Sequence, residues 1–513
     1  MSKENTAKKN GGFLDTFMNV VEAACNKLPP PTILFCILFV IVAVIGTICT
    51  VTGVALVNPA TDEVVTAKNL FTVEGLDWFL NNMVTNFTDY GPLGLVLVMT
   101  LGIGLCEEAG LLMTLIKSAM KNVPPVMVPY VIVFIGIVMN IASDSASIAV
   151  PPLAAVVYMG INKHPVVGLL CGYIGAQVGY AANILPSGTD TLLMGFTNDT
   201  LANFLPDSGF TVDATCNWFF KAASTFLCCA VIGTVVTKIL EPRFGTYHGE
   251  MEKMEEVTPE QKKGMRASLI AFIIYAIIII ALFVSGPLAA EDGGIIGSPL
   301  LSGLIPILFV LFAVVAIPFG YASGTFKNVT DIHKAMCKQM GAMGSYVAFC
   351  FFGGQFQGLF NWTNIGTISA IAGADFLETV GFTGIPMIIA FIVLCTLIDI
   401  FFSSGSAKWA IFAPIFVPMF MLLGYHPAFT QMIYRLGDSA GNLFGPTSAY
   451  LWMLLSVAQS KYMPNIKIGT IISCNFTVAF ILEFFWIIML VVWMILGLPV
   501  GPGAPIYLPA GII

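Results

Sequence analysis

The sequence predicts an all-α polytopic membrane protein. It is expected to hold two inverted-topology repeats, each with a re-entrant helical hairpin and a broken transmembrane helix. Three observations predict this. First, 57% of the 513 residues are hydrophobic and only 10% are charged, against about 25% charged in soluble domains. Second, segments 32–52, 92–112, 218–240, 267–284 and 471–496 each reach the roughly 20 apolar residues that a bilayer crossing needs. Third, one polar pattern is written twice. The first copy runs Asn140-Ile141-Ala142-Ser143-Asp144-Ser145-Ala146-Ser147, then Pro151-Pro152, His164-Pro165 and Asn183-Ile184-Leu185-Pro186. The second runs Asp399-Ile400-Phe401-Phe402-Ser403-Ser404-Gly405-Ser406, then Pro414, Pro418, His426-Pro427 and Asn442-Leu443-Phe444-Gly445-Pro446. Twin breaks in corresponding places of two halves point to a transporter binding site. Irregular backbone is tolerated at membrane depth only where it is buried in protein or lines a cavity.

The elements follow in order. Residues 1–30 are polar and read as a cytoplasmic N-terminal segment, with Lys3, Lys8, Lys9 and Lys27 on the inner side. They lack the apolar core and cleavage site of a signal peptide. Residues 31–240 form the first membrane half, with a hairpin near 141–162. Its stretch 55–90 carries Asp62, Glu63, Glu74, Asp77 and Asp89 and reads as external. Residues 241–266 are a hydrophilic cytoplasmic linker containing Arg243, Lys253, Lys262, Lys263 and Arg266. Residues 267–513 form the second half, with a hairpin near 400–424. Breaks of Ser, Gly and Pro inside 143–160 and 403–424 leave limbs too short to span. Lys117 and Lys121 precede the first copy, and Asp199 and Asp207 follow it. Asp375 and Glu378 precede the second, and Lys461 and Lys467 follow it. These reversed signs suggest inverted topology.

Several classes are excluded. The alternating ten-residue segments of a β-barrel are absent. No strongly basic stretch points to nucleic acid. The 12 Cys have no CxxC spacing and lie mostly in apolar runs, which favours packing over a disulfide frame or metal site. HExxH, Walker and GxSxG motifs are missing, so no enzyme is expected, and a carrier without an ATP loop is a secondary carrier. Ser406 and Lys408, two residues apart, point to different helix faces and make a poor hydrolase pair.

Charges inside apolar segments are costly and therefore candidates for function. Asp190, Asp399, Lys408, Arg435 and Asp438 are such charges. Asn183, Asn442, the carboxylates and unwound carbonyls offer oxygen ligands to a cation, which makes Na⁺ a candidate at Asn183, Asp190, Asp399, Asp438 and Asn442. Helix N-termini at the breaks favour an anionic substrate group. Arg435 and Asp438 are three apart, within reach of each other, so Arg435 either binds a substrate carboxylate or holds Asp438 in a structural pair. Trp409 either stacks on an aromatic ligand or packs. Asp144 reads equally as an ion ligand or as a solvated group. Glu107-Glu108 reads as an interfacial helix face, and His164 and His426 as turn residues.

The run Ser403-Ser404-Gly405-Ser406-Ala407-Lys408-Trp409, continuing through Pro414, Pro418 and His426-Pro427, closely resembles the p-aminobenzoyl-glutamate transporter (AbgT) family. Tyr434-Arg435-Leu436-Gly437-Asp438-Ser439, Gly497-Leu498-Pro499, Val150-Pro151-Pro152 and Gly188-Thr189-Asp190 fit as well. The resemblance covers essentially the whole chain. It implies a multi-pass carrier of the bacterial cytoplasmic membrane, usually a homodimer, with about nine membrane helices and two opposed hairpins. It also implies a p-aminobenzoyl-glutamate-like substrate, or sulfonamide export, with Na⁺ or H⁺ coupling and no cofactor beyond bound Na⁺. The family's functional positions fall on Asp190, Ser406, Trp409, Pro427, Arg435, Asp438 and Pro446. Asp399 stands where the family pattern has Asn and adds a negative charge. The expected function is thus an ion-coupled transporter with Arg435, Ser406, Trp409, Pro427 and Pro446 on the substrate. The rivals are a proton-driven drug exporter, a carrier of another small organic anion, and a membrane hydrolase.

Overall fold

The computed structural model describes residues 31–57, 64–120, 123–142, 144–206, 208–247, 249, 256–290, 293, 298–400, 404–446 and 448–512. The expected N-terminal segment, the middle of the linker, and the bends at 143 and 401–403 lie outside the described residues.

Helices dominate. The first half holds α1 (Pro31–Thr52), α2 (Val73–Asn82), α3 (Gly91–Ala109), α4 (Leu111–Met120), α5 (Val128–Met139), α6 (Asp144–Gly160), α7 (Pro165–Val178), α8 (Gly188–Phe204) and α9 (Trp218–Val235). The second holds α10 (Pro259–Val284), α11 (Leu304–Ser323), α12 (Val329–Ala342), α13 (Gly344–Trp362), α14 (Ile365–Thr379) and α15 (Gly384–Ile398). It continues with α16 (Gly405–Leu422), α17 (Pro427–Asn442), α18 (Ala449–Val457) and α19 (Ile468–Ile495). Among the described residues, six helices are long and apolar enough to cross a membrane, or seven if one bent pair is a single span. Their apolar side chains face outward, as Val51, Ile270 and Phe480 do. That suits hydrocarbon as the surrounding solvent.

Four features depart from the sequence expectations. The chain is not wholly α: Ala55–Val57 (β1) and Val64–Thr66 (β2) pair as a small antiparallel ribbon, where β-branched residues favour extended backbone. The crossing expected at 92–112 bends by 60° between α3 and α4. Gly110 ends α3 in the left-handed conformation (φ 82°), which stops a helix at little steric cost. The end of the expected linker is helical, because Thr258 and Gln261 form a capping box with Pro259 in the first turn. Finally, α6 and α16 are each one continuous helix despite Pro151, Pro152, Pro414 and Pro418 inside them. The expected pairs of short limbs are not formed there. Neighbouring helices in lipid re-satisfy the carbonyls that proline frees. The breaks instead precede each helix, at Asn140–Ala142 and beyond Ile398.

One local helix start recurs in the two halves. α7 and α17 both begin at a His-Pro. His164 Nδ1 accepts the Val166 N–H, and His426 Nδ1 the Ala428 N–H, each at 3.2 Å. Proline follows at the first helical position, where its missing N–H costs nothing. Almost every residue of α7 and all of Pro427 to Gly441 are buried. α7 is apolar apart from Gln177. α17 is polar, so its buried groups must find partners inside the protein.

Candidate functional site

The polar face of α17 organises the centre of the molecule. Arg435 and Asp438 do not pair with each other among the described residues. Each instead joins a different charge cluster.

In the first cluster Asp190 sits between two cations. Lys221 Nζ lies 2.6 and 2.7 Å from the two Asp190 oxygens. Arg435 Nη2 is 2.7 Å from Asp190 Oδ1, and Arg435 Nη1 donates to the Tyr180 carbonyl at 2.8 Å. Asp190 stands in the first turn of α8, where its Oδ2 accepts the Ser187 N–H at 2.7 Å and the Ser187 hydroxyl at 2.9 Å. The helix N-terminus favours the carboxylate there. The cluster holds one negative and two positive groups.

In the second cluster Lys408 sits between two carboxylates. It contacts Asp399 Oδ1 closely and Asp438 Oδ1 at 2.7 Å. Asp438 also accepts the Tyr434 hydroxyl and the Asn442 amide, both at 2.9 Å. Gly405 and Gly441 permit this approach. A Cβ on Gly405 would fall 2.7 Å from Asp438 Oδ2, and one on Gly441 would fall 2.3 Å from Asp399 Cβ. This cluster holds two negative groups and one positive.

All six charged side chains are between 0% and 4% exposed. At such burial a charge is tolerated only if paired, and removing one partner costs about 3–5 kcal/mol. Several polar atoms nevertheless lack a hydrogen-bond partner: Arg435 Nε, Asp399 Oδ2, Tyr180 Oη and Ser439 Oγ. Orphaned buried polar atoms mark a place for a ligand, an ion or water.

The other expected residues are placed as follows. Trp409 is fully buried, with its ring 4.6 Å from Tyr434 and its Nε1 donating to Thr197 at 3.0 Å. In this conformation no face of it is open to a ligand. A polar chain continues from Thr197 to Gln431 and on to Asn217. Ser406 is half-buried in the first turn of α16. Pro427 is the first residue of α17, and the Pro446 carbonyl accepts from Trp452 Nε1 at 2.8 Å. Asn183 is committed to backbone: its amide donates to the Ile137 carbonyl at 2.8 Å and its oxygen accepts from Leu185. The five residues expected to share a cation therefore divide. Asp399, Asp438 and Asn442 surround Lys408, Asp190 belongs to the other cluster, and Asn183 belongs to neither. The side chain of Asp144 lies outside what is described. Glu108 pairs with Lys338 at 2.7 Å, in keeping with a helix face.

Sequence reasoning missed Lys221, although the signal was present. It is a cation in the apolar run 218–240, and the rule that selected Asp190 applies to it equally. Lys221→Met keeps the volume and removes the charge. The variant is expected to lose about 3–5 kcal/mol of stability, seen as a lower Tm in detergent, with Lys221→Arg recovering most of it.

The chain matches the model of the AbgT putative transporter family over residues 16–508. It is 36% identical, over 487 residues, to the p-aminobenzoyl-glutamate transport protein of Escherichia coli strain K12, covering 94% of this chain and 95% of that one. It resembles the solved YdaH transporter of Alcanivorax borkumensis with a TM-score of 0.86 at 31% identity, over 92% of this chain and 100% of the other. It resembles MtrF of Neisseria gonorrhoeae, a structure associated with a class of antimetabolite efflux pumps, with a TM-score of 0.87 at 36% identity, over 95% and 100% of the two chains. A family match across nearly the whole length, together with these relatives, makes this an integral membrane transport protein and not an enzyme: the chain belongs to the AbgT putative transporter family.

Proposed function

We propose that the protein is an ion-coupled secondary transporter of p-aminobenzoyl-glutamate, or of a related aromatic amino-acid conjugate, in a bacterial cytoplasmic membrane. The observation that carries this is the pair of oppositely biased clusters joined by one turn of α17. The Asp190–Lys221–Arg435 cluster has a surplus positive charge and would hold a glutamyl carboxylate, with Arg435 Nε unengaged for it. The Asp399–Lys408–Asp438 cluster has a surplus negative charge and would hold the coupling cation, with Asp399 Oδ2 unengaged. Na⁺ and H⁺ are both compatible with carboxylate oxygens. Both clusters are closed to solvent here, so substrate entry requires an opening motion, as alternating access supplies. The shared order of a short apolar helix, a His-Pro helix and an Asn-marked break in each half supports two inverted repeats about a common site. The remaining membrane helices would bring the crossings to about nine. The family resemblance supports a homodimer.

The test is uptake of labelled p-aminobenzoyl-glutamate into proteoliposomes, with Na⁺ and pH gradients imposed separately. Accumulation driven by one gradient and collapsed by the matching ionophore is the expected result. Absence of transport under every gradient would remove the substrate assignment. A second reading, export of antimetabolites such as sulfonamides, is favoured by the likeness to MtrF. Drug-loaded vesicles that empty faster under an opposing proton gradient would support it.

A further inference from the structure

Glu483 is the one carboxyl described on α19, and neither charge cluster uses it. It lies midway along the 28-residue helix, beside the outward-facing Phe480 and Phe484. Among the described residues it has no ion pair. The cations of the core are engaged elsewhere: Lys221 and Arg435 with Asp190, and Lys408 with Asp399 and Asp438. An unpaired carboxylate at this depth costs a few kcal/mol, on the order of 2.5–3.5 on insertion scales. A purely structural role would be served at lower cost by Gln or an apolar residue.

Its partner is Thr396 on α15. The Thr396 hydroxyl has three oxygens in reach: Glu483 Oε1 at 2.7 Å, and the Ile392 and Gly437 carbonyls at 3.1 Å each. A hydroxyl carries one hydrogen and two lone pairs. With Glu483 ionised, the hydroxyl donates to the carboxylate. With Glu483 protonated, the carboxyl O–H donates to Thr396 Oγ1, and the hydroxyl turns to a backbone carbonyl. Both protonation states are thus satisfied without moving a heavy atom.

The contact also lies on the seam that positions the second cluster. Thr396 lies on α15, three residues before Asp399 at the end of that helix, and Gly437 is adjacent to Asp438 on α17. A Cβ on Gly437 would fall 2.3 Å from the Ile392 carbonyl oxygen, so the two helices touch there. The titratable groups of this segment are Cys395, next to Thr396 on α15, and Asp399, just past the end of that helix. α17 contributes Arg435 and Asp438 and α9 contributes Lys221, all engaged as above. α7 and α18, which also pack on α19, carry no charged side chain. The Thr396 hydroxyl, which reaches both Glu483 and the Gly437 carbonyl, therefore links the protonation state of Glu483 to the α15–α17 contact beside Asp399 and Asp438.

We propose that Glu483 is a proton-binding site that exchanges its proton during the transport cycle, in step with the Asp399–Lys408–Asp438 cluster. The inference rests on the transport reading above, and its test separates the two. The full-length protein in lipid nanodiscs is titrated with acid while the infrared C=O stretch of protonated carboxyls is recorded. A titrating band present in the wild type and missing in Glu483→Gln is expected; an identical band in both would overturn the proposal. This arm needs no substrate, so it decides Glu483 even if p-aminobenzoyl-glutamate is not transported. In proteoliposomes, Glu483→Gln is expected to lose the accumulation that one proton adds, about tenfold per pH unit of gradient. It should keep its affinity for substrate at fixed pH. A pH dependence of uptake equal to wild type would overturn the coupling. Should Glu483→Gln fail to fold, Thr396→Val removes the hydroxyl alone and is expected to move the pH midpoint of the band. An unchanged midpoint would count against the proposal.

Discussion

Arg435→Ala is expected to reduce uptake to the level of protein-free liposomes. Arg435 supplies half of the positive charge on Asp190 and the unengaged Nε, and it ties α17 to the Tyr180 carbonyl at 2.8 Å. Without it Asp190 retains Lys221, which leaves a neutral pair with no surplus charge for a substrate anion. Because Lys221 still satisfies Asp190, the variant should insert and fold, at a cost near the lower end of the roughly 3–5 kcal/mol for breaking a buried pair. Arg435→Lys keeps the charge but replaces the planar guanidinium fork, whose two ends reach Asp190 and the Tyr180 carbonyl, with a compact ammonium, and an intermediate rate is expected. Size-exclusion behaviour checks folding and labelled uptake checks function. Wild-type transport by Arg435→Ala would remove Arg435 from the substrate site.

Lys408→Ala should have the largest effect on the second cluster. It leaves Asp399 and Asp438 facing each other with no cation between them, a loss of about 3–5 kcal/mol. Thermal stability should then depend on added Na⁺, which can occupy the vacated position. A cation that binds only the folded state stabilises it by mass action, about 2.7 kcal/mol at a concentration 100 times its Kd. The measurement is Tm in NaCl against an equal concentration of a bulky organic chloride, for wild type and variant. A Tm of Lys408→Ala insensitive to Na⁺ would show that the two carboxylates do not form a cation site.

Much of the fold was legible because its causes are local. The His-Pro pairs at 164–165 and 426–427 start helices by a cap and a fixed backbone angle, both contained within three residues. The long apolar spans needed only composition and length. The prolines of α6 and α16 misled, because their penalty depends on neighbours that a one-dimensional reading does not contain. Gly110 and the Thr258 capping box carried local signals too, for a bend and for an early helix start, and went unread. The charged residues of the site were mostly recognisable as misfits in an apolar run. Lys221 carries the same signal, a cation inside the apolar run 218–240. Tyr180, Thr197, Asn217 and Gln431 are uncharged and gave no such warning.

The sequence by itself determined the membrane class, the two-copy pattern and the presence of charges that must be buried and compensated. Each of these follows from the cost of exposing polar groups to hydrocarbon, which any stretch of chain meets alone. Only the tertiary structure decided which charge compensates which. Spacing put Arg435 within reach of Asp438 and left open whether the two pair; in the fold Arg435 meets Asp190 and Asp438 meets Lys408. Partners far apart in the chain are chosen by how α8, α9, α16 and α17 pack around one another. That packing also sorts six charges into one group with a positive surplus and one with a negative surplus.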